Sequence, residues 1–518
     1  MQAMKTVIGI DYGTLSARAV MVDTETGEVL CSHQVAYAHG VMPGDLASAA
    51  DYEQALAELL RAMSDTPWRE SIAGICVDAT SLTLVPVGRD GRPLSLHARH
   101  ACEPHAQIKL WKYHAAQRQA DEALALAIDM REPFLGMTGG SLSCEWTLPK
   151  LLECRDEAPD IYAQMDLALD LCEYLTYRLT GEVVRSVSAM GFKCLWSQAH
   201  GLPSEAYLNG LRPGFAGEYA HLLRGTLRHT GEAAGHLSDE MARAYGLSRD
   251  IVVAMGTLDG HTSLIALGAL AEGDAALVIG TSNVLTAQTR VLHEIPGICG
   301  VVQDGLTPGL FGYEAGQNCA GDMLSWYVRT MLPAGVQREA DAHGQNVHDY
   351  LCSLVKAPWT NPVSVVDWWN GSRNVPCDLT LRGGMQGLSL NTGPQDIYLA
   401  MLQAIACGTR ELIEQFVRHG VQISRVVAAG GITQKNPLLM QEYANILRRP
   451  VAVGKIAEGP ALGASMLAAV AAGIYATPEE AFAHMGVKDM RLYTPDEAHA
   501  EAYEQLYARN HALRERLR

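Results

Sequence analysis

Residues Val7 to Val22 read Val-Ile-Gly-Ile-Asp-Tyr-Gly-Thr-Leu-Ser-Ala-Arg-Ala-Val-Met-Val, a pattern that predicts a β-hairpin. An apolar run ends in Asp11, a turn follows at Gly13 and Thr14, and a second β-rich run comes next, with no helix after the glycine. Walker loops and dinucleotide fingerprints differ from this pattern, because their glycines lead directly into a helix whose N-terminus holds the phosphate. Here a hairpin would hold the anion. Gly13 permits close approach, Arg18 supplies charge, and Asp11 is placed to meet a hydrated Mg²⁺.

The hairpin pattern recurs at the start of the second half of the chain. Ala275 to Ala287 again reads as an apolar strand, a turn at Gly280 and Thr281, and a second strand. One such motif alone is more often an ordinary buried hairpin, because short motifs match by chance. Two of them in opposite halves favour two similar lobes that hold one ligand between them.

A pair of glycines supplies a third element of this pattern. Arg425 to Ile432 is a buried strand broken by Gly430 and Gly431, and a helical pattern follows from Pro437 to Leu447. This segment is a candidate resting surface for a nucleotide. Together with the two hairpins it resembles the plan of the actin, heat-shock-70 and sugar-kinase superfamily, in which two lobes grip one nucleotide.

Length and charge limit the classes of function. A chain of 518 residues is too long for one core and suits two domains of about 250 residues, which a hydrophobic content of 48% can support. The net charge of -17 repels nucleic acid and anionic membrane surfaces. We therefore expect neither nucleic acid nor a membrane as a partner.

Cysteine usage and the apolar segments predict a cytoplasmic protein. The 12 cysteines are scattered without a C-x-x-C pair, which is typical of reduced thiols, and the N-terminus shows no signal peptide. The apolar stretch from Pro460 to Tyr475 is shorter than the roughly 20 residues of a membrane span, so we expect a buried helix. Asp496 to Leu517 has its apolar residues on one side and is a candidate packing helix at a homodimer contact.

Polar residues follow two buried strands and are candidates for the site. Asp78, Thr80 and Ser81 follow the strand Ile72 to Val77, at the kind of strand end where open α/β sheets bind ligands. A simple turn explains these three residues equally well. Asp259 follows another buried strand and precedes a short helix, which makes it the best candidate for a catalytic base, although a helix N-cap is the plainer alternative.

Other segments carry weaker signals. The His97–His105 loop holds three histidines and a cysteine, but their spacing fits no standard zinc pattern, so a loop facing solvent or covering substrate is favoured over a metal site. Ala168 to Leu179 reads as helical, Ser186 to Lys193 as a small-residue loop, and Glu314 as lying between a strand end and a helix start.

The order of these motifs along the chain resembles the FGGY family of carbohydrate kinases from about residue 5 to residue 475. The motifs are the first hairpin, Asp78-Ala79-Thr80, Pro149-Lys150, Gly256 to Asp259, Ile279-Gly280-Thr281-Ser282, and Ala429 to Asn436. Four further stretches resemble the branch of that family that phosphorylates L-ribulose. They are Leu110 to His114, Ser143 to Trp146, Tyr313 to Gln317, and Asp367 to Gly371.

The resemblance implies an α/β fold of two RNase-H-like lobes with a nucleotide and sugar cleft between them. The N-terminal lobe, residues 1–265, would bind mainly the sugar, and the C-terminal lobe, residues 266–518, mainly ATP. The implied activity is ATP-dependent phosphorylation of the terminal hydroxyl of L-ribulose to L-ribulose 5-phosphate in arabinose catabolism. Its partners would be ATP, Mg²⁺ and the ketopentose.

The resemblance also implies roles for individual residues. Asp259 would be the general base and Asp11 would help to hold Mg²⁺. The residues that would contact the nucleotide are Gly13, Thr14, Gly280, Thr281, Gly430, Gly431 and Asn436. Those that would contact the sugar are Ser81, Lys193, Asp259 and Glu314. Tyr113 and Ser372 depart from the pattern of the L-ribulose branch, so they are where a preference for a different ketose would be sought.

Two alternative functions differ from this prediction. One is a kinase for another ketose or polyol, such as D-ribulose, xylulose or a 6-deoxy ketohexose, because spacing along the chain does not reveal how hydroxyl stereochemistry is recognised. The other is a nucleotide-switched binding protein of the actin type. It is less favoured, because such a protein needs no base like Asp259 facing a sugar, and residues 97–150 read as a sugar lid.

Overall fold

The computed structural model describes residues 4–374, 377–455 and 458–518. The strands are β1 Thr6–Tyr12, β2 Ser16–Asp23, β3 Val29–Ala36, β4 Leu46–Ala47, β5 Ile72–Ala79, β6 Leu84–Gly88, β7 Ile108–Lys109, β8 Met165–Asp170, β9 Val184–Ser186, β10 Thr226–Arg228, β11 Ala233–His236, β12 Val252–Ala254, β13 Asp274–Ile279, β14 Asn283–Thr289, β15 Gly300–Gln303, β16 Phe311–Gln317, β17 Ser364–Val366, β18 Gly384–Gln386, β19 Arg425–Ala429, β20 Val451–Gly454 and β21 Met490–Tyr493. The helices are α1 Ala49–Ser64, α2 Gln117–Met130, α3 Phe134–Met137, α4 Thr147–Glu157, α5 Pro159–Tyr162, α6 Leu171–Thr180, α7 Val187–Lys193, α8 Glu205–Leu211, α9 Phe215–Leu222, α10 Asp239–Tyr245, α11 Asp259–Ala266, α12 Gly321–Thr330, α13 Ala334–Ala342, α14 Val347–Ser353, α15 Pro394–Arg418, α16 Gly431–Lys435, α17 Pro437–Leu447, α18 Gly459–Ala471, α19 Pro478–Met485 and α20 Ala500–Leu517.

Two large mixed sheets share one plan. Their strand orders are β11-β12-β5-β1-β2-β3 and β15-β16-β14-β13-β19-β20-β21. In the first sheet the hairpin β1–β2 continues into antiparallel β3 on one side and parallel β5 and β12 on the other. In the second sheet β13–β14 continues in the same way into β16, β19 and β20. The predicted α/β fold of two similar lobes is confirmed.

Two helices lie between the sheets. α11 from the first half packs on α18 from the second, and α18 also packs on β1 and β5. Two glycines allow this close contact. A Cβ on Gly9 would lie 1.8 Å from the Ala461 carbonyl oxygen, and a Cβ on Gly463 would lie 2.1 Å from the Thr262 carbonyl oxygen, so a larger residue would not fit at either position. The prediction of a buried helix within Pro460 to Tyr475 is confirmed by α18.

A third layer is inserted into the first half. It consists of the antiparallel sheet β4-β7-β6-β8 and helices that pack around a hydrophobic cluster of their own. Lys150 of α4 is buried there, and its Nζ donates to the carbonyl oxygens of Leu82 at 2.6 Å and Leu110 at 2.9 Å. Burial lowers the pKa of Lys150 to about 7. The lysine of the Pro-Lys motif therefore holds the segments next to Ser81 and Trp111 in place.

Three local predictions were wrong. Ala168 lies in β8, because that apolar segment pairs with β6, and helix α6 begins only after Asp170, which caps it. The segment before Lys193 is helix α7, not a loop, since the Ser186 hydroxyl caps its N-terminus. Glu314 lies in the middle of β16, not at a strand end.

The C-terminal helix α20 packs within the molecule. Tyr503, Leu506 and Leu513 are buried on its inner side, which confirms the predicted packing helix, while the homodimer contact stays a prediction. All 12 cysteines are free thiols. In the part of the chain that the structure describes, no helix combines the length and the apolar character needed to cross a membrane.

Candidate active site

A cavity of about 240 Å³ lies where the turns of the two hairpins approach each other. Residues predicted for the site from both halves of the chain line it: Thr14, Ser81, Lys193, Asp259, Gly280, Thr281 and Glu314. The β1–β2 turn supplies Thr14, and the β13–β14 turn supplies Gly280 and Thr281. The fold therefore brings residues from the two sheets, which are far apart in the sequence, to one cavity.

Three carboxylates lie at neighbouring positions of the first sheet. Asp11 and Asp78 are register partners on the parallel strands β1 and β5, and Asp259 begins α11 just after β12. Asp78 is fully buried, and neither of its carboxylate oxygens accepts a hydrogen bond of ordinary geometry among the described residues, although the Asp11 carboxyl group and the Thr262 hydroxyl lie close enough to affect its pKa. Burial and the nearby Asp11 and Asp259 carboxylates raise the pKa of Asp78 well above its ordinary value. An orphaned carboxylate beside a second one is a donor set that fits Mg²⁺.

Asp11 is held by an arginine of the same hairpin. Arg18 Nε lies 3.3 Å from Asp11 Oδ2, and Arg18 Nη1 donates to Glu458 Oε2 at 2.8 Å. Burial raises the pKa of Asp11, and the Arg18 guanidinium opposes that effect. Arg18 is thus paired with two carboxylates in this structure. Gly13 closes the turn by donating its N–H across it, and it is not among the residues that line the cavity.

Asp259 is half-buried and is the first residue of α11, with Leu258 as the N-cap, so the N-cap alternative does not hold. Its Oδ1 accepts the Gly260 N–H at 2.7 Å. Burial, followed by the Asp11 carboxylate, raises the pKa of Asp259 to about 7. A carboxyl group that ionises near neutral pH is suited to accept a proton from a substrate hydroxyl.

A chain of hydrogen bonds fixes Glu314 from the first half of the molecule. Lys193 Nζ donates to Glu314 Oε1 at 2.8 Å, and His261 Nε2 lies 2.9 Å from Glu314 Oε2. His261 Nδ1 lies 3.2 Å from Ser188 Oγ, which in turn accepts from Thr257 Oγ1 at 2.9 Å. Burial lowers the pKa of His261, while the Lys193 ammonium is the strongest influence that holds the pKa of Glu314 well below its usual range. Glu314 is therefore a fixed anion and not a proton acceptor.

A second cavity of about 470 Å³ adjoins the first at the β13–β14 turn, because Gly280 and Thr281 line both. Gly431 and Asn436, which were predicted to lie near adenosine, line this second cavity. The two cavities therefore lie next to each other, with Gly280 and Thr281 as their shared wall.

The Gly-Gly turn has a steric requirement for its first residue. Gly430 has φ +111°, and a Cβ at this position would lie 2.1 Å from the carbonyl oxygen of Ile279. Only glycine fits there. Asn436 has a structural task as well, since its Oδ1 accepts the Leu439 N–H at 2.9 Å and caps α17.

The two halves of the chain match the two domains of one known family. Residues 6–266 match the N-terminal domain of the FGGY family of carbohydrate kinases, and residues 275–472 match its C-terminal domain. The chain belongs to the FGGY family of carbohydrate kinases. As a member, this FGGY kinase is a phosphotransferase that acts on a sugar.

Relatives of this FGGY kinase extend over nearly its whole length. It is 38% identical to a ribulokinase of Halalkalibacterium halodurans, with 97% of this chain and 93% of that protein covered. It is also 38% identical to a ribulokinase of Mycolicibacterium smegmatis, with 100% and 96% covered. The crystal structure of xylulose kinase from Rhodospirillum rubrum matches with a TM-score of 0.81 at 22% identity over 98% of each chain, which supports the fold alone.

The cavity of this FGGY kinase includes residues that were not predicted as site residues. His261, Glu145 and Arg373 line it together with the predicted residues, and of these Glu145 belongs to the stretch Ser143 to Trp146 that resembles the L-ribulose branch. His261 could have been found from its place two residues after Asp259, but nothing in the sequence links it to Glu314. The strand end predicts that Asp78 faces the cleft. Its position opposite Asp11, however, follows only from the register of β1 and β5.

The mouth of the cavity is the adjoining space that shares Trp111, Glu145 and Arg373 with it and that His114 and Asn318 also line. Trp111 Nε1 donates to Thr14 Oγ1 at 3.2 Å, and His114 Nε2 lies 3.0 Å from Glu145 Oε1. Arg373 lines both the cavity and its mouth, and its Nε donates to the side chain of Asn318. Polar groups from both halves of this FGGY kinase thus surround the entrance.

Two positions that depart from the L-ribulose branch lie away from this mouth. The Tyr113 hydroxyl donates to Glu153 Oε1 at 2.7 Å inside the inserted layer, and Ser372 Oγ donates to the Asn374 carbonyl oxygen at 2.6 Å. Neither is among the described residues that line the cavity. The lining residues Glu145 and Arg373 are therefore better candidates for determinants of sugar preference than Tyr113 and Ser372.

The histidine-rich loop does not form a cluster. His97 lies 3.3 Å from Asp90, His100 Nε2 lies 2.9 Å from Gln164 Oε1, and His105 Nδ1 lies 3.2 Å from Lys109 Nζ. Each ring therefore has a different partner, which agrees with a loop and not with a metal site.

Proposed function

We propose that this FGGY kinase transfers the γ-phosphoryl group of ATP to the terminal hydroxyl of L-ribulose, giving L-ribulose 5-phosphate in arabinose catabolism. One observation carries the proposal. Asp259, with its pKa raised to about 7, lines the same cavity as the Lys193–Glu314 pair, at the point where the turns of both hairpins meet. A cavity of about 240 Å³ favours a small polyol, since sites for drug-sized ligands span roughly 300–1,000 Å³.

The transfer would proceed by in-line displacement. The terminal hydroxyl oxygen forms a bond to the γ-phosphorus, the bond from that phosphorus to the β,γ-bridging oxygen breaks, and ADP leaves with the electron pair. Asp259 accepts the hydroxyl proton. Because the transition state is loose, alignment of the reactants contributes more than a strongly basic nucleophile does.

The sugar would be oriented by groups that are already fixed. Lys193 and Glu314 neutralise each other, and His261 holds the second oxygen of Glu314. They can therefore exchange hydrogen bonds with sugar hydroxyls without presenting an uncompensated charge. Ser81 adds a hydroxyl from the end of β5 whose oxygen is buried and has no hydrogen-bond partner among the described residues.

Nucleotide phosphates would lie along the second hairpin, between the two cavities. The exposed backbone of Gly280 and Thr281 bears no negative charge and can approach a phosphate closely. Adenosine would occupy the second cavity beside Gly431 and Asn436, with Gly13 and Thr14 closing the phosphate region from the first hairpin.

Asp11 and Asp78 would hold Mg²⁺, directly or through water, and Asp259 lies near them. When bound, the ion would neutralise charge on the transferring phosphate. The proximity of these two buried acids supports this assignment, because a bound cation would offset the repulsion that otherwise contributes to the raised pKa of Asp78.

The choice of L-ribulose rests on the relatives. Ribulokinases share 31% to 38% identity with this chain over at least 95% of its length. The four stretches that resemble the L-ribulose branch narrow the choice of sugar. One of them supplies Glu314 and another supplies Trp111 and His114, which line the cavity or its mouth.

The test is coupled ADP release with Mg-ATP and single sugars. The panel contains L-ribulose, D-ribulose, D-xylulose, a 6-deoxy ketohexose, glycerol and a control without sugar. Asp259→Asn protein, purified in parallel, measures contaminating kinase activity. We expect L-ribulose to give the highest kcat/KM and the control without sugar to give little turnover. A higher kcat/KM for another ketose would refute the L-ribulose assignment, and turnover that does not depend on sugar would refute the sugar-kinase mechanism.

A further inference from the structure

A buried chain of polar side chains runs from the C-terminal helix to the second hairpin. Arg514 of α20 is 3% exposed, and its Nη2 donates to Asp367 Oδ1. Asp367 Oδ2 accepts from Gln317 Nε2 at 2.6 Å, and Gln317 Oε1 accepts from Asn283 Nδ2 at 2.7 Å. Asn283 comes directly after residues 280–282, the turn that separates the two cavities.

The chain has further support at its inner end. Gln317 and Asn283 are register partners on β16 and β14. Thr409 Oγ1 donates to Gln317 Oε1 at 2.7 Å, and Asn283 Nδ2 lies 3.1 Å from the Tyr443 hydroxyl. All of these side chains are buried. In a buried network the loss of one member leaves its partners unpaired, so the members hold one common arrangement.

Helix α15 has a glycine at the junction of this chain. Gly408 lies within a helix of 25 residues, where glycine is unfavourable relative to alanine. A Cβ on Gly408 would lie 2.3 Å from Gln317 Nε2 and 2.9 Å from both Arg514 Nη2 and Asp367 Oδ2. The glycine therefore leaves the space in which the ion pair and the amide meet.

The sugar cavity does not account for these residues. Asp367 and Gln317 belong to stretches that resemble the L-ribulose branch, but neither is among the described residues that line the first cavity. Arg514 lies beyond residues 275–472, which match the family's C-terminal domain. An element outside the matched domains is thus linked to β14 of the second hairpin through Asp367 and Gln317.

We propose that Asp367 and Arg514 are positioning residues for the nucleotide. Through Gln317 and Asn283 they hold the 280–282 turn where its backbone can bind the ATP phosphates. The C-terminal helix thereby sets the affinity for ATP and leaves the affinity for the ketose unchanged. This inference rests on the proposed ATP-dependent function.

The test measures ATP binding directly, by calorimetry with Mg-ATP and no ketose, and then KM for each substrate. The variants are Asp367→Asn, Arg514→Gln and Gly408→Ala, and Arg516→Gln on the exposed side of the same helix is the matched control. We expect ATP affinity to fall about tenfold in the three variants, within the range for residues of one coupled network. The ketose KM should stay within about twofold, and the control should match the wild type.

A KM split of this kind separates positioning from a general loss of structure. Folded Asp367→Asn protein with wild-type ATP affinity, or with equal losses for ATP and ketose, would overturn the inference. If Arg514→Gln does not fold, Gly408→Ala decides, because it keeps every charged and amide group and changes only their spacing. Wild-type protein that binds no ATP would instead overturn the proposed function itself.

Discussion

The two hairpins have a similar backbone arrangement at the turn but differ in the charge of the side chains beside it. In each, the N–H of the turn glycine donates to a carbonyl oxygen across the turn, at 3.0 Å from Gly13 and 2.9 Å from Gly280. Two residues before that glycine the first hairpin has Asp11 and the second has Val278. Asp11 lies beside the buried Asp78 carboxyl group, whereas the second hairpin continues into the hydrogen-bonded amides of Asn283 and Gln317.

This difference indicates how one fold plan, used twice, supports two tasks. A turn flanked by buried carboxylates repels phosphate but can hold a cation. A turn without charge does not repel a phosphate and lets it come close to the backbone. The comparison predicts that charge at these positions, more than backbone shape, separates the metal and sugar side from the nucleotide side.

The largest expected effect comes from the acidic side. Asp259→Asn keeps the shape of the side chain, and its Oδ1 can still accept the Gly260 N–H, but the amide cannot accept a proton. We expect kcat to fall by about 10² to 10⁴, with ATP binding unchanged by calorimetry. A variant that keeps full activity would show that the acidic side contributes no general base.

Placing a carboxylate on the neutral hairpin tests the comparison in reverse. Val278 lines the first cavity, so Val278→Asp introduces a negative charge beside the proposed phosphate position. Repulsion of about 3 kcal/mol, for unit charges a few ångströms apart, corresponds to about 10²-fold weaker ATP binding. Val278→Asn is the matched neutral control and should lose far less. If both variants bind ATP equally, charge does not distinguish the hairpins.

The sequence was sufficient to predict the elements that local pattern determines. Each hairpin follows from an apolar run, a glycine and a second β-rich run, and α18 follows from a short apolar stretch rich in alanine and glycine. The strand ends identified Asp78 and Asp259 because parallel strands present their carboxyl ends at one edge. These signals depend on neighbours in the chain, which a sequence displays.

Contacts between distant segments could not be predicted in this way. Lys193 and Glu314 are 121 positions apart, and His261 is 53 positions from Glu314. Their pairing depends on how the two sheets pack, for which the spacing of residues gives no measure. Helix α7 was missed for a different reason: its serine and glycine content favours turns, and tertiary packing with the Ser186 cap overrides that preference.

Removing one charge from the acidic pair sharpens the comparison further. Asp78→Asn should raise the Mg²⁺ concentration needed for half-maximal activity by about 10- to 100-fold. It should also make the protein more stable without Mg²⁺, because a buried, unpaired carboxylate beside Asp11 is removed. Melting curves with and without Mg²⁺, and activity titrated with Mg²⁺, measure both effects.

The exposed carboxylate Asp129 on α2 provides the control, since Asp129→Asn changes net charge equally. A metal site is indicated if Asp78→Asn makes the protein more stable without Mg²⁺ and at the same time weakens its affinity for Mg²⁺. An Asp78→Asn protein that is less stable without Mg²⁺ would mean that Asp78 has a compensating partner in solution, and the proposed metal side would be wrong.

The smallest expected effect is the pH dependence of the acidic side. The pKa of Asp259 is raised to about 7, so its ionised fraction falls about tenfold between pH 8 and pH 6, and kcat/KM for the sugar should fall with it. The stability contribution of this group has the opposite sign. Since its pKa is higher in the folded state than in the unfolded one, its protonation on acidification favours folding between about pH 7 and pH 4. A fall in rate at acid pH that disappears in Asp259→Asn, with no loss of melting temperature in the wild type, would assign the pH dependence to Asp259. A fall that persists in Asp259→Asn would assign it to another buried acid whose pKa is raised, such as Asp11, Asp78 or Asp170.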